Sequence, residues 1–340
     1  MHLVVYLAVQ RVYGVDIPYQ YLGVAVLAAL YFVASLLTRR FQHTAVRVFY
    51  ALAATWVGVV WLLFSATVAY ELVRIGLTGE ALGLHLTLHG AAVLASIYAL
   101  FNASRLQLKE YTLPVPNLTA PLRVAHLTDI HVGTMHREAF LRRVVALTNS
   151  SNPDVVLITG DLFDGSAPID EPILRPLNEL SAPTYFSTGN HEGYEGMDHV
   201  RSTLSHLSLT LLENAVTHVR GVRIVGVHDR QILPRTTSLD TVLTSLDIRP
   251  DGTPTILLYH TPVEWDAARG HGVTLMLSGH THNGQIFPFT LMVRLFFKHV
   301  CGIYEKAGSY LHISPGTGTW GPPMRLGSRC QVTVLNLVPK

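Results

Sequence analysis

The stretch AHLTDIHVG, residues 125–133, ends a run of small and apolar side chains at Asp129 and places His131 two positions later. Both side chains can ligate a metal ion. Alternate strand residues share a face, so a strand carried through this stretch puts both groups on one side. Alone, the pair is as well explained by a polar turn after a strand. Its weight comes from repetition downstream. DVVLITGDLFD ends at Asp161 and Asp164, PTYFSTGNHE at Asn190, His191 and Glu192, TILLYHTP at His260, and VTLMLSGHTH at His280 and His282.

These short apolar runs alternate with helix-compatible stretches such as residues 137–150 and 173–180. That alternation predicts an α/β domain from residue 121 onward. In such sheets ligands bind beyond the carboxyl ends of the strands, so terminations far apart in the chain can converge. The convergent set is Asp129, His131, Asp161, Asn190, His260, His280 and His282. It exceeds what one tetrahedral zinc uses. It suits two divalent ions that share a carboxylate, about 3.5–4 Å apart. Cys301 and Cys330 form no CxxC spacing, so the ligands are nitrogen and oxygen, compatible with Mn, Fe, Zn or a mixture. Glycines before Asn190 and His280 allow the sharp turns that bring side chains into a pocket.

The motifs DxH, GDxxD, GNHE, a single His and GHTH, in this order, resemble those of the calcineurin-like metallophosphoesterases. The resemblance extends over about residues 121–340. The stretches LSGHTHNGQ and ISPGTGTWGPPMRLGSR are similar to a membrane-associated branch of that family. It implies two β-sheets sandwiched by helices. It implies a first metal on Asp129, His131 and His282, a second on Asn190, His260 and His280, and Asp161 between them. His191 then stands near the leaving oxygen as proton donor or transition-state stabiliser, with Asp164 as its orienting partner. A carboxylate that fixes an imidazole tautomer and raises its pKa aids such an acid. Three positions depart from the pattern. Gly165 and Ser166 follow Asp164 where related phosphoprotein phosphatases carry Arg, which weakens a protein-phosphatase reading. Asn283 follows GHTH where the branch often has Gly, and Cys330–Gln331 stand where it often has Pro-Glu.

The first third of the chain has a different character. Residues 21–37, 48–73 and 81–101 are apolar runs, each long enough for a bilayer core of about 30 Å. They explain why 49% of residues are apolar and only 14% charged, with mean hydropathy +0.31. We therefore expect a transmembrane helical domain over 1–104, an extended linker over 105–120 with Pro114 and Pro116, and the catalytic domain over 121–340. Residues 1–9 are apolar but too short to span, and form an interfacial helix or part of a fourth membrane segment. They lack the charged leader and cleavage site of a signal peptide. Arg39, Arg40 and Arg47 between the first two spans, with Arg105 after the third, place the catalytic domain on the cytoplasmic side. A net charge of +2 is too small for a nucleic-acid partner.

The expected protein is an integral, multi-pass phosphohydrolase. It cleaves phosphodiester or pyrophosphate bonds with a metal-activated water. A membrane lipid or lipid-linked phosphate is the substrate class, because a soluble substrate gives no reason for three spans. Two other functions fit the same architecture. A catalytically silent receptor or scaffold has no need of the complete ligand set. A transporter with a regulatory phosphoesterase domain calls for intramembrane charges, and these spans carry few. Residues 286–300, IFPFTLMVRLFFKHV, are either a buried helix of the domain or an apolar patch that dips into the headgroups. His126 is expected to pack facing away from the site, His228 and Asp229 to lie near its rim, and His199, His206, His218 and His271 at the surface.

Overall fold

A computed structural model of the protein describes residues 1–76, 81–167, 169 and 171–340. The chain opens with four helices: α1 (His2–Tyr13), α2 (Gln20–Arg40), α3 (Thr44–Arg74) and α4 (Leu82–Ala103). The last three are long and apolar enough to cross a membrane, and each contains one of the expected runs. Ala34 of α2 packs on Tyr50, Ala53 and Ala54 of α3. Small side chains at such a seam let helix backbones approach closely.

Two six-stranded sheets follow. The first runs β1-β12-β2-β3-β4-β5, from β1 (Leu106–Val115), β2 (Leu122–Leu127), β3 (Val155–Thr159), β4 (Thr184–Ser187), β5 (Thr210–Leu211) and β12 (Cys330–Pro339). The second runs β10-β11-β9-β8-β7-β6, from β6 (Ala215–Val219), β7 (Val222–Gly226), β8 (Thr255–Leu258), β9 (Leu275–Ser278), β10 (Gly302–Lys306) and β11 (Ser309–Ile313). Parallel strands β2–β5 and β7, β8, β9 and β11 form the centres of the two sheets. VVLIT in β3 is buried throughout, as a parallel strand covered on both faces must be.

Val124, Leu157 and Leu335 of the first sheet meet Ile224, Leu258 and Leu277 of the second in a common core. Outside the first sheet, α5 (Glu138–Ser150) buries Leu141, Val144, Val145 and Thr148. Their i, i+3, i+4, i+7 spacing is one helical stripe. Val242, Leu243 and Trp265 cover the outer face of the second sheet. The architecture is the expected pair of sheets sandwiched by helices. The parallel strands of both sheets end on the side where His280 and His282 meet α3, and β1, β6, β10 and β12 run the opposite way.

One local expectation changes, one choice between alternatives is decided, and one expectation holds. Residues 105–120 are extended, but 106–115 are strand β1, paired along its length with β12. Leu113 and Val115 enter the inter-sheet core, and Pro114 is tolerated because β1 is an edge strand that needs no donor there. Residues 286–300 are not one buried helix. They form two short turns, Phe289–Met292 and Val293–Leu295, that leave Leu295 83% and Phe296 71% exposed. Nothing in the sheets covers this side, so burial cannot organise a longer helix. His126 does face away from the ligands, and its Nδ1 lies 2.9 Å from Nδ1 of His312 between the sheets.

The bundle and the α/β domain share a core in which Leu62, Ala92 and Ala99 pack on Ile286 and Met324. A Cβ at Gly58 would overlap the Met324 sulfur and crowd Pro322 Cβ at 3.1 Å, so glycine lets α3 come this close without displacing either side chain. At the end of α4, Asn102 Nδ2 donates to the carbonyls of Arg325 at 2.9 Å and Ser328 at 3.0 Å.

Candidate metal centre

The expected ligands do converge, though not by strand alternation. β2 stops at Leu127, and Asp129 and His131 lie in the loop beyond it, both with left-handed backbone (φ 50° and 51°). Asp161 (φ 51°), His280 (φ 68°) and His282 (φ 49°) share that conformation. Non-glycine residues held there carry a conformational cost that concentrates at functional sites. Here it turns each side chain back over the sheet edge. Close packing leaves no room for larger neighbours: a Cβ at Gly189 would strike the Asp161 carboxylate, and one at Gly279 the Asp129 carboxylate.

The ligand atoms form overlapping groups. Asp129, His131 and His282 make one, and Asp161, His260 and His280 another, each with its atoms within 4.8 Å of one another. His282 Nε2 is 3.2 Å from Asp129 Oδ1 and 3.1 Å from His131 Nε2. Asp161 Oδ2 stands between the groups, 3.0 Å from His260 Nε2 and 3.9 Å from His131 Nε2. Asn190 joins the second group through its Oδ1, 2.9 Å from His280 Nδ1. Asp129, His131, Asp161, Asn190, His260 and His282 are all buried.

His191 Nε2 lies 3.9 Å from Asp161 Oδ2, so the expected proton donor is beside the bridging position. Its orientation comes from an unexpected atom. His191 Nδ1 donates to the backbone carbonyl of Asp164 at 2.6 Å, and the Asp164 carboxylate instead faces His131 Nδ1 at 3.6 Å and accepts from Ser166. Gly165 follows with φ 68°, packed so closely that a Cβ there would lie 3.0 Å from Tyr194 Cβ and 3.3 Å from the His191 carbonyl oxygen. His191 also shares a possible ligand group with His131 and Asp161.

The protein's own charges leave this cluster unbalanced. Burial holds the His131 and His282 rings well below the usual histidine range, and holds His280 down to about 4. Burial also pushes Asp129 up to about 6, with His260 opposing and Asp161 reinforcing the shift. Burial acts against charge on Asp161 and His260 as well, but each holds the other ionised: Asp161 falls well below its usual value and His260 rises well above. His131 Nδ1 is buried without a hydrogen-bond partner, and His260 Nε2 faces the Asp161 carboxylate at 3.0 Å out of hydrogen-bond alignment. Unpaired buried imidazole nitrogens facing carboxylates are costly unless a cation satisfies both. The donor set therefore fits divalent metal.

Two positioning residues escaped the sequence reading. Glu192 is buried, and its carboxylate accepts from the backbone N–H groups of Asp161 (3.0 Å), Phe163 (3.1 Å) and Gly189 (2.6 Å). Burial and the Asp161 charge push it up to about 7. Its signal was present, since Glu three residues after a helix-capping Gly189 is capping-box spacing. Arg325 is buried and donates to the carbonyls of His282, Pro315 and Gly318, with Nη2 3.3 Å from His282 Nδ1. No pattern around PPMRLG marks it. His228 contacts Thr188 at 2.8 Å, and Asp229 accepts from Thr261, next to His260, so this pair shapes the rim without joining the ligands. His206 and His218 are exposed, whereas His199 and His271 are half-buried against the Ile169 and Ile248 carbonyls.

The family model for calcineurin-like phosphoesterase matches residues 122–284. A metallophosphoesterase of Helicobacter pylori strain J99 is 36% identical over 241 residues, 70% of this chain and 65% of its own length. The chain thus spans slightly less than two thirds of that relative. A metallophosphoesterase of Campylobacter jejuni is 30% identical over 86% of this chain and 82% of its own. A transmembrane protein with a metallophosphoesterase domain from Danio rerio is 32% identical over 73% of this chain and 61% of its own. With its metal-ligand motifs assembled in one centre and these relatives covered over most of its length, the chain belongs to the calcineurin-like metallophosphoesterases.

Proposed function

We propose that the protein is a multi-pass membrane phosphohydrolase that cleaves phosphodiester or pyrophosphate bonds of a lipid-linked substrate at the cytoplasmic face. The observation that carries this reading is a pair of ligand groups with Asp161 between them, whose His280 and His282 line a cleft shared with apolar helix α3. Asp129, His131 and His282 would hold one divalent cation and Asn190, His260 and His280 a second, with Asp161 placed between the two groups, and such ions would supply Lewis acidity and a water of lowered pKa. The chain's own residues do the rest. The Asp164 carbonyl keeps the proton of His191 on Nδ1, which turns Nε2 toward the site. His191 Nε2 can then hold a proton for the departing oxygen. Glu192 and Thr159 fix the acceptors: Glu192 through the Asp161 backbone, Thr159 through its carbonyl 2.9 Å from His260 Nδ1.

A diester, with one negative charge fewer, is favoured over a phosphomonoester by charge. Among the described residues, no Lys or Arg lines the cleft at His280 and His282, and Arg325 spends its donors on carbonyls. A monoester dianion has no cationic side chain to meet there. Orientation rests on Arg39, which lies beside Gly165 and Tyr194 at the domain end of the bundle, on the same side as Arg105.

Full-length protein in phosphatidylcholine nanodiscs, loaded with Mn²⁺, should hydrolyse bis(p-nitrophenyl) phosphate and a lipid pyrophosphate faster than p-nitrophenyl phosphate. Release from the monoester alone, or from none of the three, overturns the reading. A reporter at Lys109 that reads as external overturns the orientation.

A further inference from the structure

The metal ligands open on one side into a cleft of about 290 Å³ whose far wall is a membrane helix. Val57, Gly58 and Trp61 of α3 face Ile286, Phe289 and Trp320 of the α/β domain, with His280 and His282 at its inner end. The size is at the lower end of small-molecule sites, about 300–1,000 Å³, and suits a slender ligand.

Its walls offer almost nothing to a polar one. Gln285 Nε2 donates to the carbonyls of Trp320 at 2.9 Å and Pro322 at 3.0 Å, and Gln285 Oε1 accepts from the Trp320 N–H at 2.9 Å. Thr281 Oγ1 donates to the Val300 carbonyl at 2.7 Å. Trp61 Nε1 is likewise engaged, with the Phe287 carbonyl at 3.3 Å. A sugar or base seated here would lose its hydrogen bonds to water without replacement, at a cost that excludes it. A hydrocarbon chain loses none.

The depth of the cleft agrees. From Trp61 to Arg74, the end of α3, the helix rises only about 20 Å at about 1.5 Å per residue. A bilayer core of about 30 Å anchored at that end therefore reaches past Trp61. The domain residues against Trp61 continue into the exposed apolar rim of Leu291, Met292, Leu295 and Phe296, with Arg294 and Lys298 among them. Apolar side chains rimmed by positive charge belong at a membrane interface.

We infer that this cleft takes the hydrocarbon chain of the substrate, a lipid phosphoester whose phosphorus lies at the metal ligands while its chain runs out between α3 and Phe289 into the bilayer. The inference rests on the phosphohydrolase reading for the position of the phosphorus, but the chain-binding cleft is testable without turnover.

Full-length protein in phosphatidylcholine nanodiscs is irradiated with the diester methyl dodecyl phosphate that carries a diazirine at the end of its dodecyl chain. Adducts should map to Val57, Trp61 or Phe289 and disappear when unlabelled methyl dodecyl phosphate is added. Filling the cleft by Val57→Phe should abolish them, and Phe289→Asp, placed on an exposed side chain, provides a second variant if the first misfolds. In parallel, Mn²⁺-loaded protein should prefer dodecyl over ethyl p-nitrophenyl phosphate by about tenfold or more, the effect of burying a few methylenes. Either cleft variant should erase that preference, and Leu94→Phe on the outward face of α4 should keep it. Adducts confined to outward positions such as Leu94, adducts that resist competition, or a preference that survives Val57→Phe and Phe289→Asp overturn the inference. If neither ester is hydrolysed, the phosphohydrolase reading fails while the adduct map still decides the cleft.

Discussion

His282, in the first ligand group, leans on Arg325, whose own backbone N–H donates to the Ala99 carbonyl of α4 at 2.9 Å and whose carbonyl accepts from Asn102. Asp161 and His260, in the second, lean on Glu192 and on the Thr159 carbonyl, both inside the α/β domain. One half of the centre is thus braced by the apolar helix α4 and the other from within the α/β domain. The difference teaches that the bundle is part of the active-site scaffold. The supports of the second half all lie inside the α/β domain, whereas the first half leans on how α4 meets the segment 325–328. Metal occupancy of the two halves should accordingly respond to different mutations.

The largest effect should come where the halves meet. Asp161→Asn removes the shared charge, so it should empty both positions and cost more activity than the about 10–100-fold typical of outer partners. Metal content measured beside hydrolysis of bis(p-nitrophenyl) phosphate checks this. A variant that keeps two metals and near-normal turnover removes Asp161 from the bridge.

Next in size is His191→Ala, which tests whether chemistry separates from metal binding. The rate should fall by about 10²–10⁴ with both metals retained. The loss should shrink for a substrate whose leaving group needs no proton. If a metal departs as well, His191 is a ligand and the two groups are joined through it.

A pair of substitutions then sharpens the comparison itself. Arg325→Ala should weaken metal at the first group by about 10–100-fold and spare the second. Glu192→Gln turns an amide N–H toward backbone donors and should do the reverse, by a similar factor. Titration of each variant with Mn²⁺, followed by mass spectrometry of the intact protein, counts the occupied positions. Identical losses in both variants would show one cooperative centre instead of two braced halves.

The smallest effect belongs to Asn102→Ala. It deletes two side-chain hydrogen bonds, each worth about 0.5–1.5 kcal/mol, and should lower the melting temperature by a few degrees, since about 1 kcal/mol moves Tm by about 2–4 °C in a domain of this size. Metal affinity at the first group should drop only a few-fold. A larger loss at the second group would mean that α4 does not act through Arg325.

The sequence reading reached the ligands and stopped at their supports. Asp129, His131, Asp161, Asn190, His260, His280 and His282 were legible because each ends an apolar run, and chemistry restricts which side chains can stand there. How they are presented was not. Asp129 and His131 come together through two left-handed residues, not through the face of a strand, and no local propensity announces a strained loop. The Asp164 carboxylate was expected on His191, but it turns to His131 and Ser166 and leaves that task to its own backbone carbonyl. Pro114 and Pro116 marked residues 105–120 as a linker, whereas an edge position lets 106–115 join the sheet. In residues 286–300 the apolar composition was plain, and only the missing cover revealed that these side chains face outward.

By itself the sequence determined the apolar helices, the alternation of strand and helix, and the chemical identity of the ligands, because length, periodicity and side-chain chemistry are local properties. Tertiary structure alone decided that Arg325 and Glu192 brace opposite halves of the centre, that α3 approaches through Gly58, and that the ligands open onto a cleft walled by Val57 and Trp61. Each of these depends on backbone groups brought together from distant parts of the chain, and a backbone carbonyl or a shared wall has no signature in the order of residues.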